Sequence, residues 1–180
     1  MQHVNIKLFA EGLSSDSSGH NESAAVIPVF HRWIQQKSLP GLLIDVADYA
    51  HVPNGPGVLL IAHEFDIGLE HGGGRLGLLY NRKEPFEGSG LEALRSAYAY
   101  ALDAARRLEA EPEFAGKLRF RFDEVQVTLN DRLLYPNTEA TMEATSEDFA
   151  AFFREIFGGP ASSLERDPDP RTRFAVTARK

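Results

Sequence analysis

The amino-acid sequence predicts an α+β protein: a two-layer sandwich in which three helices cover a mixed sheet of five to six strands. Three observations lead to this prediction. Apolar residues that alternate with polar ones predict strands, and apolar residues that recur every three or four positions predict helices. Two Ser/Thr-x-x-acid sequences stand where helical spacing begins, as at helix N-termini. In the middle of the chain, turns rich in glycine and proline separate three strand-like runs, which indicates an antiparallel meander.

The elements are predicted in the order β-α-β-β-β-α-β-β-α. Val4, Ile6 and Leu8 alternate with polar residues and predict the first strand. Helices that connect strands form crossover units, and two such units are the reason for expecting a mixed sheet. The predicted strands cover residues 3–9, 42–52, 57–68, 75–82, 118–129 and 133–135, and the predicted helices cover 26–37, 89–111 and 147–157.

The second half of the chain supports three further expectations. The long strand changes parity at Asp123-Glu124, which predicts a bulge there. The last helix carries a stripe of phenylalanines whose expected use is core packing, with a homodimer seal or the roof of a ligand pocket as alternatives. Residues 1–160 are predicted to form one domain and residues 161–180 an extended C-terminal tail, in which 174–177 are either a closing strand or a docked segment.

The chain is acidic and contains no cysteine: its 180 residues carry a formal net charge of −7. The lack of cysteine excludes disulfides, thiolate metal sites and cysteine nucleophiles. Basic residues are scattered among more numerous acids, which argues against nucleic acid or an anionic membrane surface as a partner. We find neither a signal-peptide pattern nor an apolar run of membrane-spanning length, so a cytoplasmic location is the expectation.

No motif in the sequence names a reaction, and the polar residues best suited to chemistry are concentrated in the central segment 42–83. We expect His51 to lie opposite Val58 there, because this register collects apolar side chains on one face. Asp48 and His63 would then lie on the core face, where a carboxylate and an imidazole must pair. They are the candidate catalytic acid–base dyad, in which Asp48 orients His63. The alternative is a structural pair with satisfied hydrogen bonds.

The same register collects carboxylates on the opposite face. Asp45 would face Glu64, with Asp66 nearby and His51 further along, and directly opposed like charges are destabilising unless something offsets them. Carboxylates with a histidine suit Mg²⁺, Mn²⁺ or Zn²⁺, so Asp45, His51, Glu64 and Asp66 are the candidate metal ligands. A divalent metal is the sole cofactor that the sequence suggests. The alternative is a solvated acidic face or ion pairs with arginine.

A third group of residues suits a small anion. The Gly-Gly-Gly-Arg sequence that ends at Arg75 offers backbone N–H groups and a guanidinium, which are the donors that bind phosphate or carboxylate. Arg82 ends the following strand, close in sequence to Tyr80. Arg75, Tyr80 and Arg82 are therefore the candidate ligand-binding residues. The alternative is a glycine-rich hairpin turn followed by a solvated strand end.

Three functional hypotheses remain open from the sequence. The first is a non-catalytic binding or assembly domain that forms homo-oligomers, because no reaction signature accompanies the apolar residues on both faces of the central strands. The second is a small enzyme with a carboxylate–histidine site, with or without a metal. The third is a sensor of a small anionic ligand. None of the three implies nucleic acid or a membrane as a partner.

Overall fold

The structure, a computed structural model, describes residues 1–13, 25–49, 51–52 and 55–180. Within these residues three α-helices pack on one sheet of eight strands, so the predicted α+β class and the three helices are confirmed, while the sheet is larger than predicted. The strands are β1 (Val4–Glu11), β2 (Leu43–Tyr49), β3 (Gly57–Ala62), β4 (Phe65–Glu70), β5 (Gly77–Arg82), β6 (Arg119–Leu129), β7 (Ser163–Arg166) and β8 (Phe174–Arg179), and the helices are α1 (Val26–Gln36), α2 (Gly90–Ala110) and α3 (Glu139–Phe157).

The strands lie in the order β2-β3-β4-β5-β1-β6-β8-β7, and all their pairings among the described residues are antiparallel. The prediction of a mixed sheet is therefore wrong. Each helix does connect two strands that run in the same direction, but an antiparallel strand lies between them. For α2 and α3 the intervening strands are β1 and β8, and for α1 they are β3, β4 and β5. The helices thus connect strands of the same direction although no two neighbouring strands of the described sheet are parallel.

The predicted strand 57–68 is in fact a hairpin made of β3 and β4. Ile61 pairs with Asp66, which leaves His63 and Glu64 in a tight turn. Neither residue is typical of turns. The turn is supported instead by distant backbone, because the His63 N–H donates to the carbonyl of Leu42 (2.8 Å) and the Lys83 N–H donates to the carbonyl of Glu64 (2.9 Å).

The helix termini show where local sequence signals are sufficient. Ser89 caps α2 in a reciprocal capping box with Glu92, as predicted. In contrast, α3 begins earlier than predicted, because its N-cap is Thr138 and not Thr145. Thr145 lies within the helix, where its hydroxyl donates to the carbonyl of Thr141. The predicted strand 133–135 is a turn.

The long strand β6 and the C-terminal residues complete the sheet. Leu8 pairs with Val125 while Ala10 pairs with Phe120, so extra residues of β6 bulge between these pairs, and the predicted irregularity is confirmed. The residues after 160, for which the sequence predicts a tail with a closing strand as one alternative, form β7 and β8. β8 pairs with β6 along its whole length.

All three helices lie on one face of the sheet, and the core fills the space between the two layers. Strand residues of one parity, such as Ile6, Leu78 and Val127, join helix residues in a single apolar cluster. The phenylalanine stripe of α3 is part of this core, and Phe149, Phe153 and Phe157 stack in series. In the part of the chain that the structure describes, no helix lies on the other face of the sheet, which is called the open face below. Among the described residues no helix is long and apolar enough to cross a membrane.

Candidate functional site

The structure does not bring the predicted dyad together. Asp48 lies opposite Val58 rather than across from the region of His63, so the predicted register is wrong by three residues. His63 lies beside Leu42, at the other end of the β2–β3 pair, which separates the two backbones by roughly 20 Å. Both side chains are exposed instead of lying in the core.

The four candidate metal ligands are also dispersed. Asp45 and Asp66 lie on the same face, but Ile61 stands between them, and Asp66 forms an ion pair with Lys83 (2.9 Å). Glu64 is in the β3–β4 turn and His51 follows the end of β2. Across the described residues, no three or more acidic or histidine side chains are close enough to hold a metal ion.

The three candidate ligand-binding residues divide between the two faces. Tyr80 is fully buried in the core, where it stacks on Tyr100 and where burial raises its pKa to about 12. Arg82 lies over the ring of Phe86, with its guanidinium close to the Tyr80 hydroxyl. Arg75 alone reaches the open face. The glycine turn before Arg75 is not an anion cradle, because its N–H groups at positions 72, 74 and 75 already donate to acceptors within residues 70–72.

A groove of about 670 Å³ crosses the open face of the sheet. Its floor consists of outward-facing residues of the central strands. The Gly72–Gly74 turn stands on one side, and β7 with the loop leading to β8 stands on the other. The lining side chains are those of Asn5, Lys7, Phe9, Glu70, Arg75, Leu79, Gln126, Thr128, Glu165, Arg166, Asp167, Thr172, Arg173, Ala175, Thr177 and Arg179.

A buried ion pair fixes one wall of the groove. Lys7 and Glu70 approach to 2.6 Å, with side chains only 5% and 8% exposed. The Lys7 ammonium also donates to the carbonyls of Gly72 and Arg75, each at 2.8 Å. With three acceptors, the three ammonium protons are all engaged. Lys7 therefore acts as the anchor of the 70–75 turn and is not a free nucleophile.

A second charged cluster closes one end of the groove around Glu124. This carboxylate is 2% exposed, accepts two hydrogen bonds from Arg75 (2.8 and 2.7 Å) and lies 3.0 Å from Arg179. The hydrogen bonds from Arg75 hold the pKa of Glu124 below its usual value, although burial acts in the opposite direction. Arg75 is also stacked on Phe9, 3.7 Å from the ring centre. Its guanidinium is thereby positioned between a carboxylate and an aromatic ring.

The middle of the groove floor is neutral and polar. Asn5 lies opposite Thr128 of β6, and next to this pair Gln126 donates to the Thr177 hydroxyl at 3.1 Å. Asn5 is only 3% exposed, and its carbonyl oxygen Oδ1 has no hydrogen-bond partner within the described part of the chain. Buried polar atoms almost always have partners, so this oxygen is an exception, and the atom itself is inaccessible from the groove.

The charges of the groove lining differ from those of the whole chain. The lining has five cationic side chains and three acidic ones, whereas the chain carries a net charge of −7. Four of the cations are paired with carboxylates: Lys7 with Glu70, Arg75 and Arg179 with Glu124, and Arg166 with Glu139. Arg173 differs, since its only partner among the described residues is the side-chain oxygen of Asn130, at 3.2 Å.

Sequence reasoning missed most of this groove. Its floor comes from β1, β6 and β8, which are far apart in the chain, whereas all the site residues predicted from the sequence lie within 42–83. A signal did exist: Asn5 and Lys7 alternate with the apolar residues of β1, and Gln126 and Thr128 alternate with those of β6. Polar residues that alternate with apolar ones along a strand mark the face of the sheet that points away from the core. Only the sheet order shows that these polar faces are neighbours.

Exposed apolar side chains form a separate feature at the β2 edge of the sheet. Leu42, Ile44, Tyr49 and Val52 are between 41% and 65% exposed. They lie in or beside the terminal strand of the sheet. Single exposed apolar residues are ordinary, and here two of the four lie at each end of β2.

Fold and groove together define a small α+β protein with a polar, partly cationic groove on the open face of its sheet. Comparison of the chain with models of protein families, with curated proteins and with solved structures found no match.

Proposed function

We propose that the protein is a non-catalytic binding domain that holds a small anion in the open-face groove. The observation that carries the proposal is the cationic surplus of the groove lining in an otherwise acidic chain, in which Arg173 has no carboxylate partner among the described residues. An exposed guanidinium at the rim of a concave site is suited to bidentate binding of carboxylate or phosphate. The volume of the groove, about 670 Å³, is in the usual range for small-molecule sites.

The other groove cations support this role indirectly. Glu70 and Glu124 hold Lys7, Arg75 and Arg179 in ion pairs. These three cations therefore shape the groove and add to its positive electrostatic potential, but they offer a ligand few free hydrogen-bond donors. A ligand anion does not need to displace these carboxylates if it binds at Arg173. We therefore place the anionic group of the ligand at the end of the groove where β8 begins.

Thermal unfolding in the presence of sodium phosphate, sulfate and citrate at constant ionic strength tests the proposal. A ligand that binds only the folded chain raises the melting temperature as its concentration exceeds the Kd. We expect stabilisation by at least one of these anions, and Arg173→Ala is expected to weaken its binding roughly tenfold or more, since a charge-assisted hydrogen bond is lost.

Arg171→Ala is the matched control for that measurement. It also removes one positive charge, but Arg171 is 87% exposed, pairs with Asp169 and does not line the groove. Equal effects of the two substitutions, or the absence of stabilisation by all three anions, would contradict the proposal.

Association of two copies is a second candidate function, favoured by the exposed apolar group at the β2 edge. Direct pairing of two β2 strands is opposed by the carboxylates of Asp45 and Asp48, since charged side chains on an edge strand disfavour pairing with another strand. The Asp45 carboxylate also accepts the N–H of Val46 (2.8 Å), which is a local bond at the strand edge. The contact would therefore be made by side chains.

Light scattering over a concentration series tests this association. If the β2 edge is the interface, the wild type is dimeric and Leu42→Ser/Ile44→Ser is monomeric at the same concentration. Leu133→Ser/Leu134→Ser is the control, since this pair is also exposed but lies in the turn before α3. A monomeric wild type at every concentration would refute the association.

A further inference from the structure

We infer that two asparagines outside the groove, Asn130 and Asn137, position Arg173 for the anion without touching the ligand themselves. This inference rests on the proposed function and deepens it, since it names the residues that orient the binding guanidinium. It is carried by a separate observation, namely the hydrogen bonds that these two side chains make to Arg173 and to the loop before it, residues 167–173, which connects β7 to β8.

The side chain of Asn137 is fully engaged by one wall of the groove. Only 5% of the residue is exposed, and it is not part of the groove lining. It makes four hydrogen bonds to that wall: Nδ2 donates to the Asp167 carbonyl (2.8 Å), the Asp169 carbonyl (2.9 Å) and the Thr172 hydroxyl (3.1 Å), and Oδ1 accepts from Arg166 (2.9 Å). One side chain thereby joins the end of β7 to the residue directly before Arg173.

The sequence of the loop explains why an asparagine amide suits this place. Pro168 and Pro170 have no backbone N–H to donate, and each directly follows one of the two carbonyls that accept from Asn137. The side-chain amide of asparagine carries two protons on one nitrogen and can therefore serve two carbonyls at once. Asn137 thus supplies donors to a part of the loop in which every second residue lacks one.

Asn130 holds the guanidinium of Arg173 from the other side. Its Oδ1 accepts a hydrogen bond from Arg173 at 3.2 Å, and its Nδ2 donates to Oδ1 of Asn81 at 3.4 Å. The bond to Asn81 determines which end of the Asn130 amide faces Arg173. Because Asn130 is neutral, it orients the guanidinium and leaves its positive charge available to an anion. The connection between β6 and α3 therefore fixes both the backbone before Arg173 and its charged group.

A double-mutant cycle on anion binding tests this inference. Calorimetry measures the Kd of sodium phosphate, sulfate and citrate at constant ionic strength, well below the melting temperature of each variant. We expect Asn137→Ala to weaken the binding of at least one anion about fivefold or more, since the loop before Arg173 loses its hydrogen bonds. In the Arg173→Ala background the same substitution is expected to change the Kd by less than about twofold, because Asn137 acts through Arg173.

Two substitutions at Asn130 separate orientation from charge. Asn130→Asp is expected to weaken anion binding more than Asn130→Ala does, because a carboxylate beside Arg173 pairs with the guanidinium and competes with the ligand. A merely structural asparagine would not produce this order. If Asn137→Ala does not fold, Asn137→Asp takes its place, since it keeps the shape of the side chain and removes both of the donated protons.

Thr145→Val is the control for a general loss of stability. It also removes a buried side-chain hydrogen bond, but Thr145 does not line the groove, and we expect a lower melting temperature with an unchanged Kd. A Kd that stays within about twofold of the wild type for either asparagine, or additive effects of Asn137→Ala and Arg173→Ala, would overturn this inference and leave anion binding at Arg173 intact. If Arg173→Ala does not weaken binding, or if no anion binds the wild type, the proposed function fails as well.

Discussion

Replacing Lys7 by methionine is expected to lower the free energy of unfolding by about 3–5 kcal/mol. Methionine keeps much of the apolar stem of lysine but removes the charge. The Glu70 carboxylate would then lack its ion-pair partner in a place where its side chain is only 8% exposed, and the carbonyls of Gly72 and Arg75 would each lose a donor. A buried charge without a partner is among the most costly defects that one substitution can cause.

Urea unfolding of three variants measures this effect. Lys117→Met, at an exposed position, is expected to change the free energy of unfolding by less than about 0.5 kcal/mol. The double variant Lys7→Met/Glu70→Gln is expected to be more stable than Lys7→Met alone, since no unpaired charge remains. A loss below about 1 kcal/mol for Lys7→Met would show that water, and not Lys7, satisfies Glu70.

The same ion pair shows why the sequence predicts the elements better than the site. The alternation in β1 is a local property, and so is the capping box of α2, where Ser89 and Glu92 are three residues apart. Each of these features can be recognised within a short window of the sequence. The partner of Lys7 is more than sixty residues away, and only the β1–β5 and β4–β5 pairings bring Glu70 next to it.

The central segment illustrates the opposite case, in which a local pattern misleads. The predicted face of Asp48 and His63 depended on one register and on an uninterrupted strand from 57 to 68. The actual register differs by an odd number of residues, and each side chain of β2 therefore changes face relative to β3. The turn at His63 and Glu64 depends on hydrogen bonds from distant backbone, which no local propensity encodes.

The open face also follows from the arrangement of the helices. The three described helices lie on one side of the sheet, and on the other side the polar residues of the neighbouring strands β1, β6 and β8 adjoin one another. Antiparallel sheets commonly leave one face to solvent. Here that face is concave enough to bury Asn5 and Lys7 almost completely. Such burial, with no described helix above it, distinguishes this part of the face from an ordinary solvated surface.

Phe174→Ala is expected to lower the free energy of unfolding by about 3–5 kcal/mol, and it tests whether β8 is a structural part of the sheet. Phe174 is fully buried, pairs with Leu129 of β6 and stacks on Phe149 of α3 at 6.2 Å between ring centres. Truncation leaves a cavity between the helical layer and the sheet that its lining cannot fill without moving α3.

Destabilisation of β8 by Phe174→Ala would also disturb the groove. This is because β8 supplies one side of the groove floor and Arg173 directly precedes Phe174. Leu164→Ala on β7 is the control, since that side chain is 44% exposed, and its expected effect is below about 0.5 kcal/mol. Hydrogen exchange measures the cooperativity: the amides of β8 are expected to exchange only with global unfolding in the wild type. If they exchange by local opening, or if Phe174→Ala costs less than about 1 kcal/mol, residues 161–180 are a docked tail, and the groove has one movable wall.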